Sequence, residues 1–156
     1  MERISENISY REAIKSNTAM RKGIDNTPTS YEVTNMVGVA KNIFEPLREW
    51  VGGPIKITSM FRSEKLNRAI GGSSRSQHCQ GRALDLDDTF GHKTNAEMFD
   101  YIKSNLSFDQ LIWEFGSDIN PDWIHVSYES KEENRNRILK AVRDKGKTIY
   151  IDITNG

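Results

Sequence analysis

The sequence predicts an α+β domain with a mainly antiparallel sheet and helices packed on one side of it. Short segments alternate polar and apolar residues, as half-buried strands do. Capping-box patterns, which open helices, lie before and between those segments. Two more strand-like segments near the C-terminus flank a turn sequence, which favours a mixed fold over a regular βα repeat. We expect one domain over residues 1–156, because no Pro-, Gly- or Ser-rich linker divides the chain.

The N-terminal third predicts two helices, each opened by a Ser or Thr that is followed three residues later by Glu. The box at Ser9 predicts a short helix that ends near Ser16. The box at Thr29 opens a longer helix, in which apolar residues recur at helical spacing. Pro46 should end or kink this helix, and the Gly pair at 52–53 should terminate what remains.

The middle of the chain predicts two further helices. Ser63 is placed to cap a short helix over about residues 64–70. A third capping box begins at Thr94 and opens a helix that carries Phe99 and Ile102 on one side. That side should therefore face the core.

Strands are predicted in six segments, namely residues 55–60, 83–87, 110–115, 123–128, 137–142 and 148–153. The last two flank Asp-Lys-Gly-Lys at 144–147, a sequence suited to a hairpin turn. A terminal helix over 137–142 is the competing interpretation of the tail.

Charge and composition exclude several classes of protein. Lys plus Arg and Asp plus Glu both number 22, and the basic residues form no block, which argues against nucleic-acid and anionic-membrane binding. The single cysteine excludes an internal disulfide. No secretory signal opens the chain, and no apolar run reaches the roughly 18 residues of a membrane span. We expect cytoplasmic synthesis without a signal peptide and a monomeric protein.

Two predicted strands and the segment before one of them carry candidate metal ligands. In 123–128 the alternation turns His125 away from its apolar neighbours, and in 83–87 it does the same for Asp85. Neighbouring strands could then present both side chains on one sheet face. His78 lies seven residues before Asp85, so the chain must bend, and Gly81 is the expected place. Two imidazoles and one carboxylate leave the fourth position of a tetrahedral zinc ion open, so we expect a zinc cleft on the sheet face.

Each of these residues also has an ordinary structural interpretation. A lone histidine beside apolar residues is most often packed or hydrogen-bonded, and Asp85 between two leucines could be a buried capping acid. His92 lies in the loop Phe-Gly-His-Lys and is interpreted as a solvated residue.

The chain also resembles a known family through several segments. Ser-Gln-His-Cys-Gln-Gly-Arg-Ala-Leu-Asp at 76–85 is similar to the signature S-x-H-x-x-G-x-A-x-D of zinc D-alanyl-D-alanine carboxypeptidases and dipeptidases, a family that includes phage L-alanyl-D-glutamate endolysins. Asp-Trp-Ile-His at 122–125 resembles its second segment. Residues 59–63 and 108–115 resemble the arginine segment and the strand before the last ligand in its small phage and bacterial branch.

The resemblance implies roles for individual residues. His78, Asp85 and His125 would be the zinc ligands. The acid before the last ligand, which is Asp122 here, would be the general base. Typical members carry Glu at that position, and Asp is one methylene shorter. Glu114 is therefore the alternative base, because a neighbouring strand could bring it into the same cleft. The sequence favours Asp122.

Three further residues receive expected roles. Arg62 would act as an electrophile or as a clamp for a carboxylate, unless it merely caps the next helix. Ser76 and Gln77 would bind substrate or orient His78.

The function implied by the resemblance is hydrolysis of peptidoglycan stem peptides that contain D-amino acids, of the carboxypeptidase or endolysin type. The substrate partner would then be a cell-wall peptide, reached after phage-mediated release. Two alternatives remain open at this point: a zinc-binding module of the same fold that has lost catalysis, and a phage structural protein.

Overall fold

In the computed structural model of the chain, residues 1–155 are described. A small hairpin of β1 (Arg3–Ser5) and β2 (Ile8–Ser9) opens the fold. A six-stranded sheet follows, built from β3 (Lys56–Ser59), β4 (Ala83–Asp87), β5 (Gln110–Glu114), β6 (Trp123–Ser127), β7 (Arg137–Asp144) and β8 (Lys147–Asp152). Its strand order is β3-β4-β6-β5-β7-β8. The N-terminal hairpin was not predicted from the sequence.

The sheet is antiparallel at every pairing except that of β5 with β7, which is parallel. The predicted α+β class and the mainly antiparallel sheet are therefore confirmed. The tail forms a hairpin rather than the competing terminal helix. Lys145 and Gly146 form its two-residue turn with φ values of 51° and 78°, because strand twist favours a turn with both central residues in the left-handed region.

Across residues 1–155 the fold also contains a short 3₁₀ turn (Gln77–Gln80), six α-helices and one π-helical segment. The α-helices and the π segment are α1 (Tyr10–Ile14), α2 (Asn17–Lys22), α3 (Ser30–Val39), the π segment (Ala40–Phe44), α4 (Glu45–Val51), α5 (Glu64–Ala69) and α6 (Asn95–Asn105). Within residues 1–155 no helix combines the length and hydropathy needed to span a membrane.

Most predicted helix starts are confirmed by their caps. The Ser9 and Ser63 hydroxyls accept backbone N–H groups of their helices, and complete capping boxes form at Thr29 and Thr94. The predicted end of the first helix near Ser16 differs, since α1 ends at Ile14. The Ser16 hydroxyl accepts the Ala19 N–H and so begins a second short helix instead.

The long helix runs through Pro46 rather than ending there. A π turn occupies the segment directly before it, and the Glu45 N–H donates to the Ala40 carbonyl, five residues back. Proline lacks the N–H of a normal helical turn, and its ring crowds the carbonyl four residues earlier, so a wider turn at this point accommodates it. The helix ends at Gly52 in the left-handed conformation, as predicted.

The core lies between the helices and one face of the sheet. Leu84, Leu86, Ile124 and Val126 project from β4 and β6 into a cluster with apolar residues of α3, the π segment and α6. A smaller buried cluster is formed by Ile112 of β5 and by Leu139 and Ala141 of β7. Because side chains alternate along a strand, Asp85 and His125 must project from the face opposite the helices.

Candidate metal centre

His78 lies on a short 3₁₀ turn, Gln77–Gln80, which connects α5 to β4. The Ser76 hydroxyl caps the turn by accepting the His78 N–H at 3.2 Å. Gly81 ends it with φ of 74° and donates its N–H to the His78 carbonyl at 3.2 Å. This left-handed residue reverses the chain into β4, which is the bend that the sequence predicted at Gly81.

The contacts of Gly81 give a test of this local structure. A Cβ at position 81 would lie inside van der Waals contact of the Glu32 carbonyl oxygen, and the backbone is left-handed. We expect Gly81→Ala to lower the free energy of unfolding by roughly 2–4 kcal/mol, measured by urea denaturation. Gly146→Ala is the matched control, because its φ is 78° but a Cβ there meets open space. Equal losses in both variants would contradict the close approach at Gly81.

Asp85 and His125 are directly opposed partners on the neighbouring strands β4 and β6. The Asp85 Oδ1 lies 3.0 Å from His125 Nδ1, and its Oδ2 lies 3.3 Å from His78 Nε2. The two imidazole rings meet edge to face, with centroids 5.2 Å apart. The three predicted ligands thus form one cluster, with one ligand atom from each residue lying within 4.8 Å of the others.

The hydrogen bonds of His78 test whether this cluster fits a metal ion. Its Nδ1 lies 2.6 Å from the Met60 carbonyl, and a carbonyl can only accept, so Nδ1 carries the proton. The buried Nε2 then holds a lone pair and has no hydrogen-bond partner. It faces a carboxylate oxygen, which also only accepts. A cation between the two satisfies both groups, and tetrahedral zinc ligands at about 2.1 Å would lie roughly 3.4 Å apart, close to the observed separations.

The protonation states of the cluster agree with metal binding. Burial lowers the pKa of His78, although Asp85 partly opposes this effect. Burial alone would raise the pKa of Asp85, but His78 and His125 outweigh it and hold that pKa below its ordinary value. A neutral imidazole and an ionised carboxylate are the forms that bind metals.

Glu114 projects from β5 on the same face as the cluster. Ile112, two residues before Glu114 on the same face of β5, pairs with His125, and Glu114 itself pairs with Trp123. The Glu114 carboxyl therefore lies two residues along the strand direction from the position opposite His125. It is 7% exposed. Burial raises the pKa of Glu114 to about 7, with His125 lowering it and Asp85 raising it. A bound cation would lower this pKa again, because it favours the carboxylate.

Asp122 occupies a different position. It lies directly before β6, is exposed, and donates its backbone N–H to the Glu114 carbonyl at 2.9 Å. That bond holds the segment before β6 against the end of β5. The register thus places Glu114 on the side of the sheet that carries the metal cluster, whereas Asp122 lies just outside β6 and lines a cavity together with Phe115 and Trp123.

Arg62 and Ser76 lie beside the turn that carries His78. The Arg62 backbone N–H donates to the His78 carbonyl at 3.2 Å, and its Nη2 donates to the Ser76 hydroxyl at 3.2 Å. The buried Nε of Arg62 has no partner. A guanidinium next to the cluster can donate N–H groups to an oxygen of another molecule.

Gln77 is partly buried, and its side chain is hydrogen-bonded within the protein. Its side-chain amide donates to Asp109 Oδ2 at 2.9 Å and to Glu129 Oε2 at 2.6 Å. Asp109 is 2% exposed and also accepts two bonds from the Arg135 guanidinium, at 2.9 and 2.7 Å. These hydrogen bonds fix the position of Gln77 and therefore of the 3₁₀ turn that carries His78. Sequence reasoning missed Asp109, whose one signal was its place at the start of a family-like segment.

Two histidines and an aspartate that converge on a sheet face, with a buried acid and an arginine at its edge, define the class of metal-dependent hydrolases. The family model described as Peptidase M15 matches residues 6–127. The chain therefore belongs to the Peptidase M15 family of zinc-dependent metallopeptidases. No curated protein matches the chain. The matched part contains every candidate site residue and ends with β6, so β7 and β8 lie beyond it.

Proposed function

We propose that the protein is a zinc peptidase that hydrolyses peptidoglycan stem peptides containing D-amino acids, of the carboxypeptidase or endolysin type. His78, Asp85 and His125 would hold the metal. The observation that carries this proposal is the buried, unpartnered Nε2 of His78, which faces the Asp85 carboxylate in a chain of the Peptidase M15 family. The site of action would be the cell wall, reached after phage-mediated release, and the active form a monomer.

The residues around the cluster suggest how the peptide bond is broken. Zinc, when bound by three protein ligands, lowers the pKa of water to about 7 and polarises a carbonyl group. Glu114 would accept a proton from the attacking water and return it to the amine that leaves when the C–N bond breaks. Its support is its place on the cleft face, its burial and its raised pKa.

Arg62 would stabilise negative charge on the substrate. Its position beside the turn that carries His78 supports a role as oxyanion donor or carboxylate clamp. Ser76 would hold Arg62 and the turn in place, because its hydroxyl bonds to both. Gln77 would be a positioning residue rather than a substrate ligand, because its amide nitrogen already serves two carboxylates.

The variant Arg62→Lys isolates the geometry of this group from its charge. Loss of one oxyanion donor costs about 2.7–4 kcal/mol, so turnover should fall by about 10²–10³, more than substrate binding weakens. Steady-state kinetics on a wall peptide measures both quantities. Arg68→Lys, in α5, is the matched control and should behave as the wild type. Unchanged turnover in Arg62→Lys would make Arg62 a structural residue only.

The proposal is tested by incubating purified peptidoglycan with the zinc-loaded protein and measuring released amino groups. Release that stops on chelation and returns with zinc would support a peptidase. The alternative is a metal-binding module without catalysis, which the sequence suggested because Asp replaces Glu at position 122. Glu114 on the cleft face makes this alternative less attractive, because it offers another carboxylate that could act as the base. Zinc binding without any release of amino groups would favour this alternative.

A further inference from the structure

The β7–β8 hairpin extends the cleft face beyond the part of the chain that the family model matches. In the sheet register Glu114 pairs with Ala141 of β7, and Ala141 pairs with Tyr150 of β8. Ala141 is fully buried, so the face continues from the acid into the hairpin without a gap. Arg143 lies two residues beyond Ala141 and therefore projects from the same face.

Arg143 lies over an aromatic surface at the end of the cleft. Its guanidinium carbon is 4.6 Å from the centre of the Phe115 ring, and that ring lies 5.5 Å from the ring of Trp123. Phe115 directly follows Glu114 and has a φ of 57°. This left-handed backbone conformation interrupts the strand, so the direction of the Phe115 side chain does not follow the alternation along β5. These three side chains line a cavity of about 490 Å³.

Arg143 has no direct carboxylate partner in the described part of the chain, although Asp118 and Asp122 line the same cavity. Among residues 1–155 it forms no salt bridge, whereas Lys140 in the same cavity is paired with Asp118. Asp122 also lines the cavity but forms no ion pair with Arg143. A guanidinium that stacks on an aromatic ring keeps its planar fork of N–H donors free, and this fork matches a carboxylate.

The distance from the metal cluster defines which carboxylate could bind. In the sheet register His125 pairs with Ile112 of β5, and Ile112 pairs with Leu139 of β7. Arg143 therefore lies two strands away from His125 and four residues further along β7, which corresponds to roughly 16 Å between the Cα atoms of Arg143 and His125. The arginine side chain covers part of that distance, so the bound group would lie about two to three residues of extended peptide from the cleaved bond.

We propose that this cavity is a substrate subsite for a carboxylate two to three residues from the scissile bond, bound by the Arg143 guanidinium above Phe115 and beside Trp123. The inference rests on the proposed peptidase function and deepens it. It names an acidic peptide as the preferred substrate and the hairpin as the element that selects it.

The test compares a synthetic wall stem peptide with free carboxylates and the same peptide with its carboxylates amidated one at a time. Zinc-loaded wild type and Arg143→Gln are assayed on each. The variant should raise KM for the free acid about tenfold and leave kcat within about twofold, as loss of one charge-assisted contact predicts. For the wild type, one of the amidated peptides should show the same rise in KM. For that peptide, Arg143→Gln should raise KM no further.

Lys145→Gln is the matched control, since it removes one exposed positive charge from the turn of the same hairpin. It should behave as the wild type. Equal KM values for wild type and Arg143→Gln on every peptide would overturn the subsite. If the wild type cleaves no wall peptide, the proposed function fails. Equilibrium binding of the same peptides, followed by Trp fluorescence, then decides the subsite separately: an acid preference lost in Arg143→Gln supports it, and no difference overturns it.

Discussion

His125→Ala is expected to lose both stoichiometric zinc and peptide hydrolysis. Asp85 contacts both histidines, so removing one imidazole leaves two ligands and an ionised, mostly buried carboxylate without its hydrogen-bond partner. Metal analysis after dialysis measures the zinc content. Zinc added at 100 times its dissociation constant should stabilise the wild type by about 2.7 kcal/mol, and it should not stabilise the variant. Thermal unfolding with and without zinc measures this second effect.

His92→Ala is the matched control for this substitution, because His92 is an exposed loop residue outside the cluster. It should keep its zinc, the stabilisation by zinc and the rate of hydrolysis. Equal zinc content in His125→Ala and wild type would remove His125 from the metal site.

Glu114→Gln is expected to lower turnover by about 10²–10⁴ while zinc remains bound, as removal of a general base does. Gln has nearly the same shape as Glu but cannot accept the proton, so the buried position stays filled. Steady-state kinetics on a wall peptide, with zinc content checked in the same samples, measures the effect.

Asp122→Asn is compared in the same assay. Its side chain is exposed and it lies outside β6, whereas Glu114 is buried on the cleft face, so we expect this variant to stay within about tenfold of the wild type. A dead Asp122→Asn beside an active Glu114→Gln would reverse the assignment and return the role to the acid that the sequence favoured.

The candidate cluster could be predicted from local patterns. Alternation along 83–87 and 123–128 predicted that Asp85 and His125 share the face away from the leucines, and the structure pairs them directly. His78 required a bend, which Gly81 signalled because glycine readily adopts the left-handed conformation. The side-chain directions and the bend depend on residues close together in the sequence, whereas the meeting of Asp85 with His125, 40 residues away, was implied by the family resemblance.

The features that sequence missed depend on contacts between distant residues. The burial of Glu114 on the cleft face follows from the register of β5 against β6, which a motif centred on the last ligand does not contain. The parallel pairing of β5 with β7 likewise follows from strand order, and no alternation pattern encodes it. Gln77 was expected to bind substrate or to orient His78, but its partners Asp109 and Glu129 could not be named from the sequence because they lie 32 and 52 residues away.

The central claim, zinc-dependent hydrolysis of wall peptides, is tested most directly by mass spectrometry of peptidoglycan digested with the purified protein. Samples contain the wild type with zinc, the wild type with chelator, and zinc-loaded Glu114→Gln. The account predicts new fragments that differ from the intact stem peptide by hydrolysis of one amide bond, present only in the first sample. Unchanged peptidoglycan in the first sample, with zinc bound to the protein, would contradict it.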